Sequence, residues 1–204
     1  MEFAVRNLWV LWLAVLLGCT AAAEQITVQV HNTAAVSPSV LTRGESEAGR
    51  ILRHAGIEVV WLNCANSSSV GERCFLADDP AVFVLHIVSQ GKTSTDSVFG
   101  EAFLGEGGVG KYCDIFFGRM LEAFRDSGAN LADLLGAVAA HELGHLLLGS
   151  YAHSQIGIME PVWQKESLRA IQMGTLLFTP DQAGAMRARL KRPVLKLARV
   201  RPGI

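Results

Sequence analysis

Ile26, Val28 and Val30 alternate with polar residues, the period of a strand with one face in a core. From residue 46 to 55 the spacing changes to Ala48, Ile51, Leu52 and Ala55, which predicts a helix ended by Gly56. Residues 58–62 and 81–88 are apolar and β-branched, as buried strands are. Residues 97–104, interrupted by Gly100, and residues 112–117 predict two more strands, and 120–124 a short helix that stops before Gly128. Asn130 then caps a long helix with Asp133 in its first turn, running through residue 148 to Gly149. Thr179-Pro180-Asp181-Gln182 opens the last helix, with a capping threonine, proline at the first helical position and glutamine placed for a capping box. No segment repeats. At 204 residues, half of them hydrophobic and 18% charged, the chain suits one domain with a real core and excludes a disordered or coiled-coil chain.

The ends differ from the middle. Arg6 closes a short polar start, residues 8–17 are unbroken apolar, and Ala21, Ala22 and Ala23 offer a small-residue cleavage site. Residues 1–23 therefore read as a secretory signal, and the mature chain as secreted or held in the cell envelope. Leu16-Leu17-Gly18-Cys19 also resembles a lipoprotein box, which would leave a lipid anchor on Cys19. No later stretch is expected to span a membrane. The formal charge of −1 conceals a split: residues 24–186 hold eight more acids than bases, whereas residues 187–204 hold seven bases and no acid. The expected division is a leader at 1–23, one folded domain at 24–190 and a loose basic tail at 191–204. Such a tail is most simply solvated, and export argues against nucleic acid as a partner. Export permits disulfides, and a bridge between Cys64 and Cys74 would close the polar loop between them. Cys113 reads as a buried thiol.

The chemistry concentrates on the long helix. His141-Glu142-Leu143-Gly144-His145 puts two histidines four apart, so their imidazoles share one face and suit a first-row metal, most often zinc. Glu142 is rotated about 100° from His141 and is free to act as general base on a metal-bound water, then as acid to the leaving amine. Gly149 can end the helix in a left-handed turn and send the chain back, which would bring His153 to the metal as a third ligand and leave one position for water. A surface-loop histidine is the plainer alternative for His153. Downstream, residues 157–161 read as a tight turn in which Met159 would shape the floor of the site without coordinating. His31, His54 and His86 are scattered and are expected in core or surface roles, and Trp61 and Trp163 in the core or a groove.

The stretch HELGHLLLGSYAHSQIGIMEP, residues 141–161, resembles the metzincin zinc metalloproteases. Their order of His-Glu-x-x-His, glycine, third histidine and a turn with methionine recurs as His141, Glu142, His145, Gly149, His153 and Met159, and the pieces around His153 and Met159 look most like the matrixin branch. Two residues normally stand in each gap flanking the glycine, and here there are three. Glu166, 21 positions past His145, resembles instead the third ligand of the gluzincins. The resemblance implies an α+β catalytic domain: a twisted, mostly parallel sheet with an antiparallel edge strand, an active-site helix and a C-terminal helix. It implies one catalytic zinc, a Met-turn at Met159, and an edge strand at Gly100, Glu101, Ala102 and Phe103 that binds a peptide or protein substrate by strand addition. The expected activity is that of an exported zinc endopeptidase. The alternative is a non-catalytic module that grips a peptide around a structural zinc.

Residues 105–112 nearly match a phosphate-binding loop, but Tyr112 stands where magnesium needs a serine or threonine, and a strand is expected where a helix should begin. A flexible loop is the better expectation.

Overall fold

A computed structural model of the chain describes residues 23–64, 74, 79–90, 99–124 and 130–192. The leader up to residue 22, Cys19 with it, and the tail from residue 193 lie outside the described residues, as do residues 97–98 of the expected fourth strand.

Among the described residues five strands form one sheet: β1 (Glu24–Asn32), β2 (Ile57–Asn63), β3 (Val82–Val88), β4 (Gly100–Phe103) and β5 (Tyr112–Phe116). Their order is β2-β1-β3-β5-β4, parallel throughout except for β4, which runs antiparallel to β5 at the edge. The expected mostly parallel sheet with an antiparallel edge strand is therefore present. Five helices among the described residues complete the fold: α1 (Pro38–His54), α2 (Phe117–Phe124), α3 (Leu131–Leu148), α4 (Lys165–Gln172) and α5 (Pro180–Leu190). The period-2 rule places Ile26, Val28 and Val30 of β1, Leu85 and Ile87 of β3, and Cys113 and Ile115 of β5 in the core. There they meet Ile51 and Leu52 of α1 and Leu134, Leu135 and Val138 of α3.

The expected helix at 46–55 begins eight residues earlier, with Pro38 at its first turn. Gly44, in this added stretch, is a contact point: a Cβ there would lie 3.0 Å from Leu135 Cδ2. Opposite it, a Cβ on Gly136 would lie 2.6 Å from the Gly44 carbonyl oxygen. The two glycines let α1 and α3 approach backbone to side chain, so packing outweighs the low helix propensity of glycine. α2 starts at Phe117, three residues before the expected 120. α4 is an element the hydrophobic pattern did not announce, held by only two buried residues, Ser167 and Ile171.

α3 carries the site. The Asn130 side chain accepts from the amides of Ala132 and Asp133 at 3.0 and 3.3 Å, and Arg43 of α1 clasps Asp133 with two bonds of 2.9 and 3.1 Å. Its 18 residues have a mean hydropathy of 1.3, which by length and composition matches a bilayer span, contrary to the expectation that no later stretch would. In the fold that apolarity serves the core, since nearly every residue from Ala132 to Leu147 is buried. Near the far edge of the sheet Cys64 and Cys74 are joined as a disulfide, and Cys113 is a buried free thiol. The glycine-rich loop runs through a 3₁₀ turn, Glu106–Gly108, straight into β5, and Lys111 Nζ donates to the Asp79 carbonyl at 2.7 Å. With no helix start at Tyr112, the loop has no phosphate-binding geometry.

Candidate metal centre

His141 and His145 lie on one face of α3, as their spacing requires. Each ring is oriented by a backbone carbonyl: His141 Nδ1 donates to Ile158 O at 2.7 Å, and His145 Nδ1 donates to Ser150 O at 2.8 Å. With both Nδ1 protons committed, the two Nε2 atoms carry lone pairs, and they stand 3.1 Å apart. Burial lowers the pKa of His141 to about 4, against the raising effect of its bond to Ile158 and with help from the neighbouring imidazoles; burial likewise lowers that of His145. Both rings are therefore neutral at neutral pH, the form that ligates a metal.

Gly149 ends the helix at φ 64°, ψ 36°, its amide donating to the His145 carbonyl at 2.8 Å. This left-handed residue reverses the chain and brings His153 back over the helix. The His153 ring centroid lies 5.4 Å from that of His141 and 4.9 Å from that of His145. One nitrogen from each of the three rings falls within 4.8 Å of the others; His141 and His145 are buried and His153 is exposed. The extra residue in each gap is thus absorbed by the turn. Glu166 is exposed on α4 and is not part of the cluster. Glu160 lines the cleft, with one carboxylate oxygen accepting from Ser167 Oγ at 2.6 Å.

The donor set fits one zinc ion. Two uncharged nitrogens with facing lone pairs repel unless a cation lies between them, and two nitrogen ligands of a tetrahedral zinc stand about 3.3 Å apart. The observed 3.1 Å is close to that spacing. Each ligand ring also has the carbonyl partner on its far nitrogen that zinc-binding histidines normally have.

Glu142 is 6% exposed, and burial, reinforced by the charge of Glu101, raises its pKa to about 8. Its carboxyl group lies against Gly100 of β4, where a Cβ would come within 2.6 Å of Glu142 Cγ and 2.7 Å of Oε1. Gly100, which weakened the strand prediction, is therefore what admits the carboxylate beside the edge strand. Met159 is fully buried, its Sδ 2.7 Å from where a Cβ on Gly144 would lie, so the sulfur packs under the helical turn between the two histidines. Gly157, at φ 80°, makes the turn that carries it, and the Ile158 amide donates to Leu177 O at 2.9 Å.

These residues open onto a cleft of about 440 Å³. Phe99, Gly100, Glu101 and Ala102 line one wall and Pro161, Val162 and Trp163 another. Phe103, expected with that edge strand, stands at its end, exposed and away from the cleft lining. The Trp163 ring meets His141 edge-on, 5.8 Å between centroids, which places this tryptophan in the groove; Trp61 packs against the core. Two features were not foreseen. Tyr151, at the cleft, bonds both backbone groups of Leu104 through its hydroxyl, and Arg189 of α5 donates to Gly108 O at 2.5 Å while its guanidinium packs on Gly149. Tyr151 had one sequence signal, an aromatic residue between the helix-ending glycine and the third histidine. Arg189 had none, because it was counted only among the seven bases of residues 187–204. His31 and His86, expected to be scattered, meet across β1 and β3 with ring centroids 5.0 Å apart.

No protein-family model matches the chain, and no curated protein does. Solved structures do. A zinc-dependent peptidase from Methanocorpusculum labreanum superposes with a TM-score of 0.52 at 14% identity, over 80% of this chain and 99% of that one. An archaemetzincin from Methanopyrus kandleri gives a TM-score of 0.49 at 18% identity, over 86% of this chain and all of that one. The fold that presents the three histidines is thus one it shares with a solved zinc-dependent peptidase.

Proposed function

We propose that the chain is a zinc-dependent metalloendopeptidase of the metzincin kind. The observation that carries this reading is the convergence of three imidazoles, two with their Nδ1 protons fixed on carbonyls, beside the buried carboxyl of Glu142. In this reading His141, His145 and His153 hold one zinc ion. Zinc held there supplies a Lewis acid and lowers the pKa of a water toward about 7.

The remaining work belongs to the protein. Glu142 takes a proton from the attacking water and returns it to the leaving amine. Its burial beside Gly100 keeps the carboxyl in one place and away from competing solvent. Residues Gly100 to Ala102, at the cleft wall on an edge strand, receive an extended peptide by strand addition. Met159 acts as a Met-turn, an apolar support that holds the turn of α3 between the first two ligands. Export forms part of the same proposal. It is supported by the apolar leader and by the Cys64–Cys74 disulfide, a bond that persists in oxidising compartments.

The test is metal analysis joined to cleavage. Purified protein is expected to bind about one zinc per chain. His141→Ala loses the metal, whereas Glu142→Ala keeps it and loses hydrolysis of a mixed peptide pool. Comparing His153→Ala with Glu166→Ala for zinc affinity identifies the third ligand, and only the first is expected to weaken binding. Refolded protein that takes up no zinc would overturn the assignment. Zinc uptake without any hydrolysis would leave a peptide-binding module.

A further inference from the structure

Tyr151 places its hydroxyl on the outer edge of the sheet. The oxygen accepts from the Leu104 amide at 2.8 Å and donates to the Leu104 carbonyl at 3.3 Å. Leu104 is the residue directly after β4. The pairing of β4 with β5 shows which way its backbone groups point. The Phe116 amide donates to Phe99 O at 2.8 Å, so Phe99 turns its groups inward to β5. In an antiparallel ladder the direction alternates, so residues 101 and 103 also face β5. Gly100, Ala102 and Leu104 turn their amides and carbonyls outward, and Gly100 and Ala102 line the cleft.

A strand added to this edge would offer each outward residue one carbonyl and one amide. The phenol does the same with a single oxygen: it accepts from one group and donates to the other, and so imitates one rung of a ladder. Two rungs, at Gly100 and Ala102, are left to a peptide, and the third is taken. The position of this block relative to the chemistry is set by two contacts. Gly100 lies against Glu142, and the Tyr151 ring stands 6.3 Å, centroid to centroid, from that of His145. The four residue steps from Gly100 to Leu104 span about 13 Å. Beyond Leu104 the chain folds back on itself, with the Gly105 amide donating to Val109 O at 2.8 Å.

We infer that Tyr151 is a specificity-determining residue that ends the substrate site on the Leu104 side. This rests on the peptidase reading above. On that side a bound peptide pairs with Ala102 and then meets the tyrosine, so further residues add no backbone bonds. The side beyond Gly100 carries no such block among the described residues. The enzyme therefore tolerates long chains in one direction from the scissile bond and gains nothing from them in the other. The ring is 57% exposed, so it is free to swing outward once its hydroxyl has nothing to hold.

The experiment uses zinc-loaded full-length protein and two series of alanine peptides, each carrying a hydroxamate at one end to anchor it on the zinc. One series extends from the anchor toward the peptide's N-terminus and the other toward its C-terminus. Affinity is measured by calorimetry as each series lengthens, with hydrolysis of a peptide pool followed in parallel. In the wild type one series is expected to stop gaining affinity where the third rung falls. Tyr151→Ala, and Tyr151→Phe as a second variant that preserves the ring beside His145, should restore the gain in that series alone, by about fivefold for each backbone hydrogen bond recovered. A purely structural role for Tyr151 would shift both series together. A wild type without the one-sided plateau, or a plateau that survives both substitutions, overturns the inference. Hydrolysis with an unchanged plateau leaves the peptidase reading standing without it. The expected plateau with no hydrolysis does the reverse, and failure of every hydroxamate to bind removes both.

Discussion

Gly100→Ala is the sharpest perturbation of the catalytic arrangement, because it adds one methyl group at a known place. The new Cβ would lie 2.6 Å from Glu142 Cγ, 2.7 Å from Oε1 and 2.8 Å from Cδ. Carbon atoms rest at about 3.5–4.0 Å, so the carboxyl group must retreat by roughly 1 Å. Glu142 is buried on a rigid helix and cannot escape by leaving the cleft. A displacement of that size at a proton-transferring group costs about 100-fold in rate. The metal ligands are untouched, since no histidine lies among the nearest atoms to the new methyl. The expected variant binds zinc at the wild-type stoichiometry, loses about 1–3 kcal/mol of stability to overpacking, and shows kcat/KM on peptides lowered by about 100-fold. Peptide hydrolysis, zinc content and thermal melting, measured on one preparation, give the answer. Unchanged kcat/KM with alanine in place would refute the role of Glu142, and loss of zinc would show that the clash spreads to the ligands.

Gly144→Ala forces a methyl group to within 2.7 Å of both Met159 Sδ and Phe178 Cε1, so overpacking should cost about 1–3 kcal/mol in a denaturant titration and weaken zinc binding as well. Metal-free protein should lose stability as the pH rises from about 6.5 to about 8. In that range folded Glu142, with its pKa raised to about 8, binds more protons than the unfolded chain. Between pH 4.5 and 6.5 the effect is opposed, because His141, lowered to about 4, and His145 bind fewer protons folded than unfolded, which makes stability rise with pH. Denaturant titrations of chelator-treated protein across this range test both signs, and a steady rise through pH 8 would contradict the burial of Glu142. Reducing Cys64–Cys74 reopens a link of sequence separation 10 and should cost about 3 kcal/mol, readable as a drop in melting temperature on adding reductant.

The parts of the fold that follow from short-range physics were legible in the chain. A period-2 run marked β1, apolar β-branched runs marked β2 and β3, and the polar oxygens of Asn130 and Thr179 marked the starts of α3 and α5. The start of α1 was hidden because the apolar spacing that predicted it begins at Ala48, and Gly44 owes its place to the contact with α3. α4 was hidden because so short a helix, with only two buried residues, leaves almost no periodic signal.

The site divides in the same way. The convergence of His141 and His145, the separate direction of Glu142 and the left-handed stop at Gly149 are consequences of helix geometry and of a glycine without Cβ, so the sequence alone determined them. The remaining features depend on contacts between segments far apart in the chain. Whether His153 or Glu166 stands by the pair was open in the sequence, because turn length does not specify turn path; the fold brings His153 in and leaves Glu166 outside. The high pKa of Glu142 comes from burial behind Gly100, some forty residues earlier. The closed rung at Leu104 comes from a tyrosine 47 positions later. Local spacing set the directions of the side chains on the helix, and only tertiary packing decided their neighbours, since burial, charge and hydrogen bonding act through space.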